Sequence, residues 1–347
     1  MTMPNIPLAK TVAPSDTSTS VVIDGRGPQI RGGTARLTTY SDILYDTPTS
    51  DGKQIPLKLD LQVPASTGKK PMVVYISGGG FVRNDKAANL HRRTYVAQQG
   101  YVVASIEYRT VPSGATYRDA VADVKSAIRY LRAHADQYDI KVSKVAVWGE
   151  SAGAYLAAMT GVTNGLNRFE NGSNPGPSAT VQAVVDEFGP SDISTVASDY
   201  DAAAQKRTYA AGNSFAQFIF GPDTTLSVKD DPAAVAAANP VTHVSSSSPP
   251  FLLLHGSADQ LVSPSQTLVL HDALRATGVD STRYLVEGAN HGDLTFMGFD
   301  ADTAKQWSSQ QVMDAITGFL NKHLGCALCP RASGSPVLQV HSGGGRH

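Results

Sequence analysis

A serine set between two glycines, Gly149-Glu150-Ser151-Ala152-Gly153, is the part of this sequence best suited to chemistry. A serine hydroxyl is a weak nucleophile until a neighbouring base takes its proton during attack. Its flanks decide how it is presented. Val145-Ala-Val-Trp148 is an apolar run suited to a buried strand, whereas Tyr155, Leu156 and Met159 recur at helical spacing. Ser151 therefore falls on a tight strand-to-helix turn. Glycines on either side remove side chains where the strand and helix pass closest, and such a turn projects the hydroxyl into a cleft.

Three other places supply what that hydroxyl would need. In Tyr75-Ile-Ser-Gly-Gly-Gly-Phe81, three glycines follow a buried run, so backbone N–H groups can approach a developing oxyanion. Gly79, Gly80 and Ala152 are the candidate donors. Asp259, in LLLHGSADQ, lies just past another apolar run, at the strand end where open α/β sheets bind ligands. A carboxylate there can orient an imidazole, although aspartate in this setting also suits a plain turn. His291, in VEGANHGD, is the one histidine of nine that follows a strand closely in a loop able to reach the same edge. His255 sits on a strand end, where a packed or hydrogen-bonded role is expected. His91, His134, His271 and His323 fall on helices, His243 in an insertion, and His341 and His347 in a tail. The chain order Ser151, Asp259, His291 is that of the α/β-hydrolase sheet and not of other serine-hydrolase folds.

The elements around these residues alternate. LKLDLQVP reads as an early antiparallel strand, and Met72–Ser77, Tyr101–Tyr108, VQAVVDEFG, PFLLLHG and STRYLVEG read as further strands. Continuous apolar runs suit strands covered on both faces. Between them, Ala120, Val121, Val124, Ala127, Ile128 and Leu131 form one helical stripe, and SPSQTLVLHDALRATG and WSSQQVMDAITGFLNKHLG are also helical. The expected fold is α/β: a mostly parallel sheet flanked by helices. A segment over about 191–248 breaks the rhythm and reads as an insertion over the sheet. Its Phe215, Phe218 and Phe220 either line a substrate pocket or dock the insertion, and Phe81 and Glu150 are the other pocket candidates. Residues 1–35 read as a loose arm, 36–325 as the catalytic domain and 326–347 as a flexible tail.

Composition narrows the function classes. The 347 residues are 41% hydrophobic and 17% charged, with a formal net charge of −1, so a large core can form. No basic run suggests nucleic acid, and no run approaches the ~18 apolar residues of a membrane span. The N-terminus lacks the apolar stretch of a secretory leader, so the expected compartment is the cytoplasm, or outside the cell with a leader removed. Cys326 and Cys329 form a C-x-x-C pair, but no second pair or histidine cluster lies near to complete a zinc site. An incidental pair or a local disulfide is expected, with no metal. Asn171-Gly172-Ser173 is a glycosylation sequon of a kind common by chance.

From about Lys70 to Leu324 the chain resembles bacterial carboxylesterases related to hormone-sensitive lipase, in the feruloyl-esterase-like branch of the α/β-hydrolase superfamily. The resemblance rests on YISGGGF, EYR followed by YRDAVADVKSAIRYLRAHADQYDI, KVAVWGESAGAYLAAMTG, ANPVTHVSSSSPPFLLLHGSADQLVSP and VEGANHGD. It implies cofactor-free hydrolysis of small carboxylic esters. Ser151 would be the nucleophile, His291 the base, Asp259 its orienter, and the N–H groups of Gly79, Gly80 and Ala152 the oxyanion hole. Two positions depart from the family pattern. Ser77 stands where a loop-fixing histidine is usual, and Ala154 where a glycine is frequent. An amidase or formamidase on the same fold, a non-catalytic ligand-binding relative and a membrane-active lipase are the alternatives. A homodimer is compatible with any of them.

Overall fold

A computed structural model describes residues 8–166, 169–170, 173–292 and 305–325. Cys326, Cys329, the tail and the first two residues of the sequon lie outside them. The strands are β1 (Val21–Ile23), β2 (Leu37–Asp46), β3 (Thr49–Ser50), β4 (Lys53–Gln54), β5 (Leu57–Pro64), β6 (Lys70–Ile76), β7 (Val102–Ile106), β8 (Ile140–Glu150), β9 (Ala183–Glu187), β10 (Phe251–Gly256) and β11 (Ser281–Val286). The helices are α1 (Leu90–Gln98), α2 (Tyr117–Ala133), α3 (Ala152–Val162), α4 (Ala202–Thr208), α5 (Ser214–Phe220), α6 (Pro232–Ala238), α7 (Ser265–Ala276) and α8 (Gln310–Leu324).

Apart from the β3–β4 hairpin, the strands form one sheet in the order β1-β11-β10-β9-β8-β6-β7-β5-β2. Neighbours from β1 to β7 pair parallel; β5 runs antiparallel to β7, and β2 antiparallel to β5. This is the mostly parallel sheet that the alternating pattern predicts. Parallel strands need helical crossovers, and these cover both faces. On one face Val121, Ile128, Leu156, Met159, Leu270 and Leu274 pack on Val74, Val147 and Leu253. On the other, Val96, Val312, Ile316 and Leu320 pack on Val73, Trp148 and Leu252. Residues 191–248 hold the short helices α4 to α6, with prolines between them. Among the described residues, no helix is long and apolar enough to cross a membrane.

The expectation of a loose arm over 1–35 needs correction. From residue 8 onward this segment is tied to the body of the molecule. β1 pairs with β11 and covers the sheet edge, which would otherwise be open. The Ala9 N–H donates to the Gln260 carbonyl at 3.1 Å, and Val12 bridges to Tyr200. Ser15, Asp16 and Ser20 supply acceptors to the buried Arg283. Low hydrophobicity predicts little apolar burial, but the same serines and carbonyls can satisfy a buried cation, which composition does not report.

Candidate active site

β8 runs straight into α3, and Ser151 occupies the junction with φ 53° and ψ −120°. Positive φ is strained for any residue with a Cβ, so its surroundings must hold it there. The Ser151 N–H donates to the Glu187 carbonyl at 2.9 Å, fastening the turn to β9. The glycines are required by space. A Cβ on Gly149 would lie 2.1 Å from the Gly153 carbonyl oxygen, and one on Gly153 would lie 2.0 Å from that of Ile76. No side chain fits at either position.

Asp259 and His291 come from the loops after β10 and β11, and meet Ser151 at the carboxyl edge of the sheet. His291 Nε2 is 2.7 Å from Ser151 Oγ, and His291 Nδ1 is 2.7 Å from Asp259 Oδ2. The two loops are braced against each other. The Ala258 N–H donates to the Ala289 carbonyl, and Asn290 Oδ1 accepts from both the Gln260 and the His291 N–H groups. Phe188, itself at φ 50°, sets its ring 4.7 Å from the His291 imidazole. Asp259 is wholly buried, and burial alone would raise its pKa. The His291 charge, then hydrogen bonds from His255 and His291, hold its carboxyl well below the usual range. The Leu261 and Val262 N–H groups donate to its other oxygen at 2.8 and 3.0 Å. It is therefore an ionised acceptor, able to stabilise an imidazolium.

The glycine loop lies against the nucleophile. A Cβ on Gly78 would come within 3.1 Å of Ser151 Cβ. Gly79 and Gly80 take φ 150° and 61°, and the Gly79 carbonyl accepts from the Val82 and Arg83 N–H groups. Ser77 is buried; its Oγ accepts from the Asp85 N–H at 2.9 Å, and its carbonyl from the Tyr108 hydroxyl at 2.9 Å. A serine thus fixes the loop locally where the resembling family has histidine. Ala152 opens α3, and no helical carbonyl precedes its N–H.

The pocket candidates fare differently. Phe81 and Phe218 are buried and stacked on each other, with centroids 4.0 Å apart and planes at 14°. Tyr155 meets both rings edge-on. They fasten α5 to the glycine loop, each covering one face of the other. Phe215 is only partly buried, and its ring lies 5.8 Å from Phe81 at the margin of this cluster. Glu150 is held in a buried charge cluster. Arg92 donates to Glu150 Oε1 at 2.5 Å and to Glu187 Oε1 at 2.5 Å, Asn89 donates to Glu150 Oε2, and Trp148 Nε1 donates to Glu187 Oε2. One buried cation between two carboxylates leaves a surplus negative charge. Burial pushes the Glu150 carboxyl up to about 7 against the pull of Arg92.

Arg92, Glu187 and Asn89 brace the two segments flanking Ser151, and nothing in their local sequence announces it. The only hint is a pair of charges, Asp186 and Glu187, ending an otherwise apolar strand. His255 is wholly buried and hydrogen-bonded, as its strand-end position predicts. Among the described residues, no group of three or more His, Cys, Asp or Glu is arranged to hold a metal ion. The assembled groups are those of acyl transfer: a hydroxyl, an imidazole to take its proton, a buried carboxylate behind the imidazole, and backbone donors beside the hydroxyl.

The BD-FAE family model matches residues 59–274. Esterase LipC of Mycobacterium tuberculosis is 29% identical over 228 residues, 65% of this chain and 54% of that protein. Isoprenylcysteine alpha-carbonyl methylesterase ICME of Arabidopsis thaliana is 27% identical over 252 residues, 70% of this chain and 55% of that one. The chain thus spans about half the length of the curated relatives it matches. Among solved structures, a truncated carbohydrate esterase from gut microbiota superposes with a TM-score of 0.70 at 24% identity, covering 85% of this chain and 98% of that one. An esterase of Thermogutta terrifontis, Est2, superposes with a TM-score of 0.62 at 22% identity, covering 84% and 94%. At those identities the superpositions show a shared α/β-hydrolase fold.

Proposed function

Since this chain belongs to the BD-FAE family, we propose that it is a serine carboxylesterase acting on short-chain or aryl carboxylic esters through an acyl-enzyme. The observation that carries this reading is the unbroken chain of contacts from Ser151 Oγ through His291 to Asp259, 2.7 Å at each step. His291 Nε2 takes the Ser151 proton as Oγ bonds to the ester carbonyl carbon. The carbonyl oxygen becomes an oxyanion held by the N–H groups of Gly79, Gly80 and Ala152. Removal of one such donor typically costs about 3 kcal/mol of barrier. The tetrahedral intermediate collapses, the carbon–alkoxide bond breaks, and His291 gives its proton to the leaving oxygen. Water then enters, loses a proton to His291 and attacks the acyl carbon. The Ser151–acyl bond breaks, and Oγ recovers its proton.

The aromatic cluster supports a short acyl or flat aryl group. Phe81 and Phe218 fill space next to the glycine loop, leaving Phe215 at the margin. The names of the relatives, which range over esterases, a methylesterase and a carbohydrate esterase, are in keeping with ester substrates of different alcohols. Hydrolysis of p-nitrophenyl esters from acetate to decanoate, with methyl ferulate and an aryl formamide alongside, tests the proposal. The expected result is a kcat/KM highest on acetate or butyrate and falling toward decanoate, with the formamide slower than the esters. Faster turnover of the formamide would replace the esterase reading with an amidase. A maximum at decanoate would contradict the short-chain reading.

A further inference from the structure

Asp259 Oδ2 lies within reach of two imidazoles, and the proposed reaction uses only one. His291 Nδ1 lies 2.7 Å from Asp259 Oδ2, and His255 Nε2 lies 3.1 Å from the same oxygen. His255 ends β10 and is wholly buried. Its partners fix its proton. Nε2 is also 3.0 Å from the Val262 carbonyl, so this nitrogen faces two acceptors and must carry the hydrogen. Nδ1 lies 3.1 Å from Thr267 Oγ1, which accepts from Arg283 Nε at 3.0 Å. The Thr267 hydrogen is then free for His255 Nδ1, its other acceptor being the Pro264 carbonyl at a longer 3.3 Å. The Arg283 guanidinium stands directly behind Thr267.

Resting on the serine-hydrolase reading above, we propose that His255 is a positioning residue for the catalytic base: a neutral imidazole that donates to Asp259, holds Oδ2 toward His291 Nδ1, and disperses carboxylate charge that His291 would otherwise meet alone. Asp259 Oδ1 accepts two backbone N–H groups, and Oδ2 faces both imidazoles, at 2.7 Å from His291 Nδ1 and 3.1 Å from His255 Nε2. Each donor that shares the negative charge weakens the stabilisation of protonated His291. Loss of the His255 donor concentrates the charge on the His291 side. The imidazolium then persists to higher pH, and the carboxylate is freer to rotate.

Glu150 interacts with His291 from the β8 side, and Tyr200 faces Asp259 from the insertion. Arg283 stands behind Thr267, and its charge is offset by Asp272, Asp199 and Asp16. None of these donates to Asp259 Oδ2, so the two imidazoles decide how its charge is shared.

The test is a titration of the His291 ring by 15N-histidine NMR in the full chain, together with kcat/KM for p-nitrophenyl acetate against pH. In His255→Leu the His291 midpoint and the acid limb of kcat/KM are expected to move upward together by about half to one pH unit. kcat should fall by about tenfold or more, as for a lost hydrogen bond to a charged group. His255→Gln keeps an N–H donor and should restore most of both. If the leucine variant does not fold, His255→Met takes its place; it removes the same donor with a side chain of different shape and should shift the midpoint in the same direction. A folded variant with a lowered thermal midpoint but an unmoved His291 titration, an unmoved limb and kcat within about twofold of wild type would make His255 structural only and overturn the proposal. The NMR readout does not need turnover. A shifted His291 midpoint in a chain that hydrolyses no ester would leave this role standing and remove the esterase reading instead.

Discussion

Replacing Ser151 with alanine is expected to lower kcat on p-nitrophenyl acetate by on the order of a millionfold. The alanine keeps the Cβ and the strained turn, so α3 and the sheet should be undisturbed. It removes the atom that bonds to the acyl carbon. The oxyanion donors and His291 remain, but without Oγ they can only assist direct attack by water, a much slower reaction. Steady-state rates of both proteins, with circular dichroism to show equal folding, check this. A Ser151→Ala protein within about tenfold of wild type would mean that another nucleophile does the chemistry.

Asp259→Asn is expected to lower kcat by about ten-thousandfold while leaving the fold intact. The reason lies in the donors around the carboxylate. Its Oδ1 accepts two backbone N–H groups, and its Oδ2 faces His291 and His255. An asparagine offers one acceptor oxygen and one NH2. If the oxygen stays on the backbone donors, the NH2 faces His291 Nδ1 and makes it an acceptor. The hydrogen then sits on Nε2, toward Ser151, where it cannot take the serine proton. If the amide flips, the NH2 meets the Leu261 and Val262 N–H groups, which is unfavourable in a wholly buried site. Rates at several pH values, with the thermal midpoint as control, separate this from unfolding. A loss of less than about tenfold would mean that Asp259 does not orient the base.

The reactive core of this site is legible in the sequence because its signals are local. Gly149, Ser151 and Gly153 announce their turn by spacing alone, since only glycine tolerates contacts of 2.0 to 2.1 Å at the missing Cβ. Asp259 and His291 are ambiguous singly and become readable through chain order and strand ends. What braces them is not legible. Arg92 reaches Glu187 across 95 residues and Thr267 reaches His255 across 12, and neither pair has a fixed spacing to find. Glu150 follows the glycine that opens the turn and reads as facing substrate, but the buried Arg92 turns it inward. Phe81 reads as lining the pocket and Phe218 as lining it or docking the insertion; in the fold the two rings stack on each other. The N-terminal segment reads as loose because it is polar, yet its polar groups are what the buried Arg283 requires.

The most direct test of the site is covalent. The chain is incubated with diethyl p-nitrophenyl phosphate, which gives its phosphoryl group to an activated serine as p-nitrophenolate leaves. Intact mass and peptide mapping then locate the label. The expected result is one diethylphosphoryl group per chain, on the peptide containing Ser151, with one equivalent of p-nitrophenolate released and no label on Ser151→Ala. Labelling of the alanine variant to the same extent, or a label on another residue with Ser151 unmodified, would contradict the assignment of Ser151 as the nucleophile.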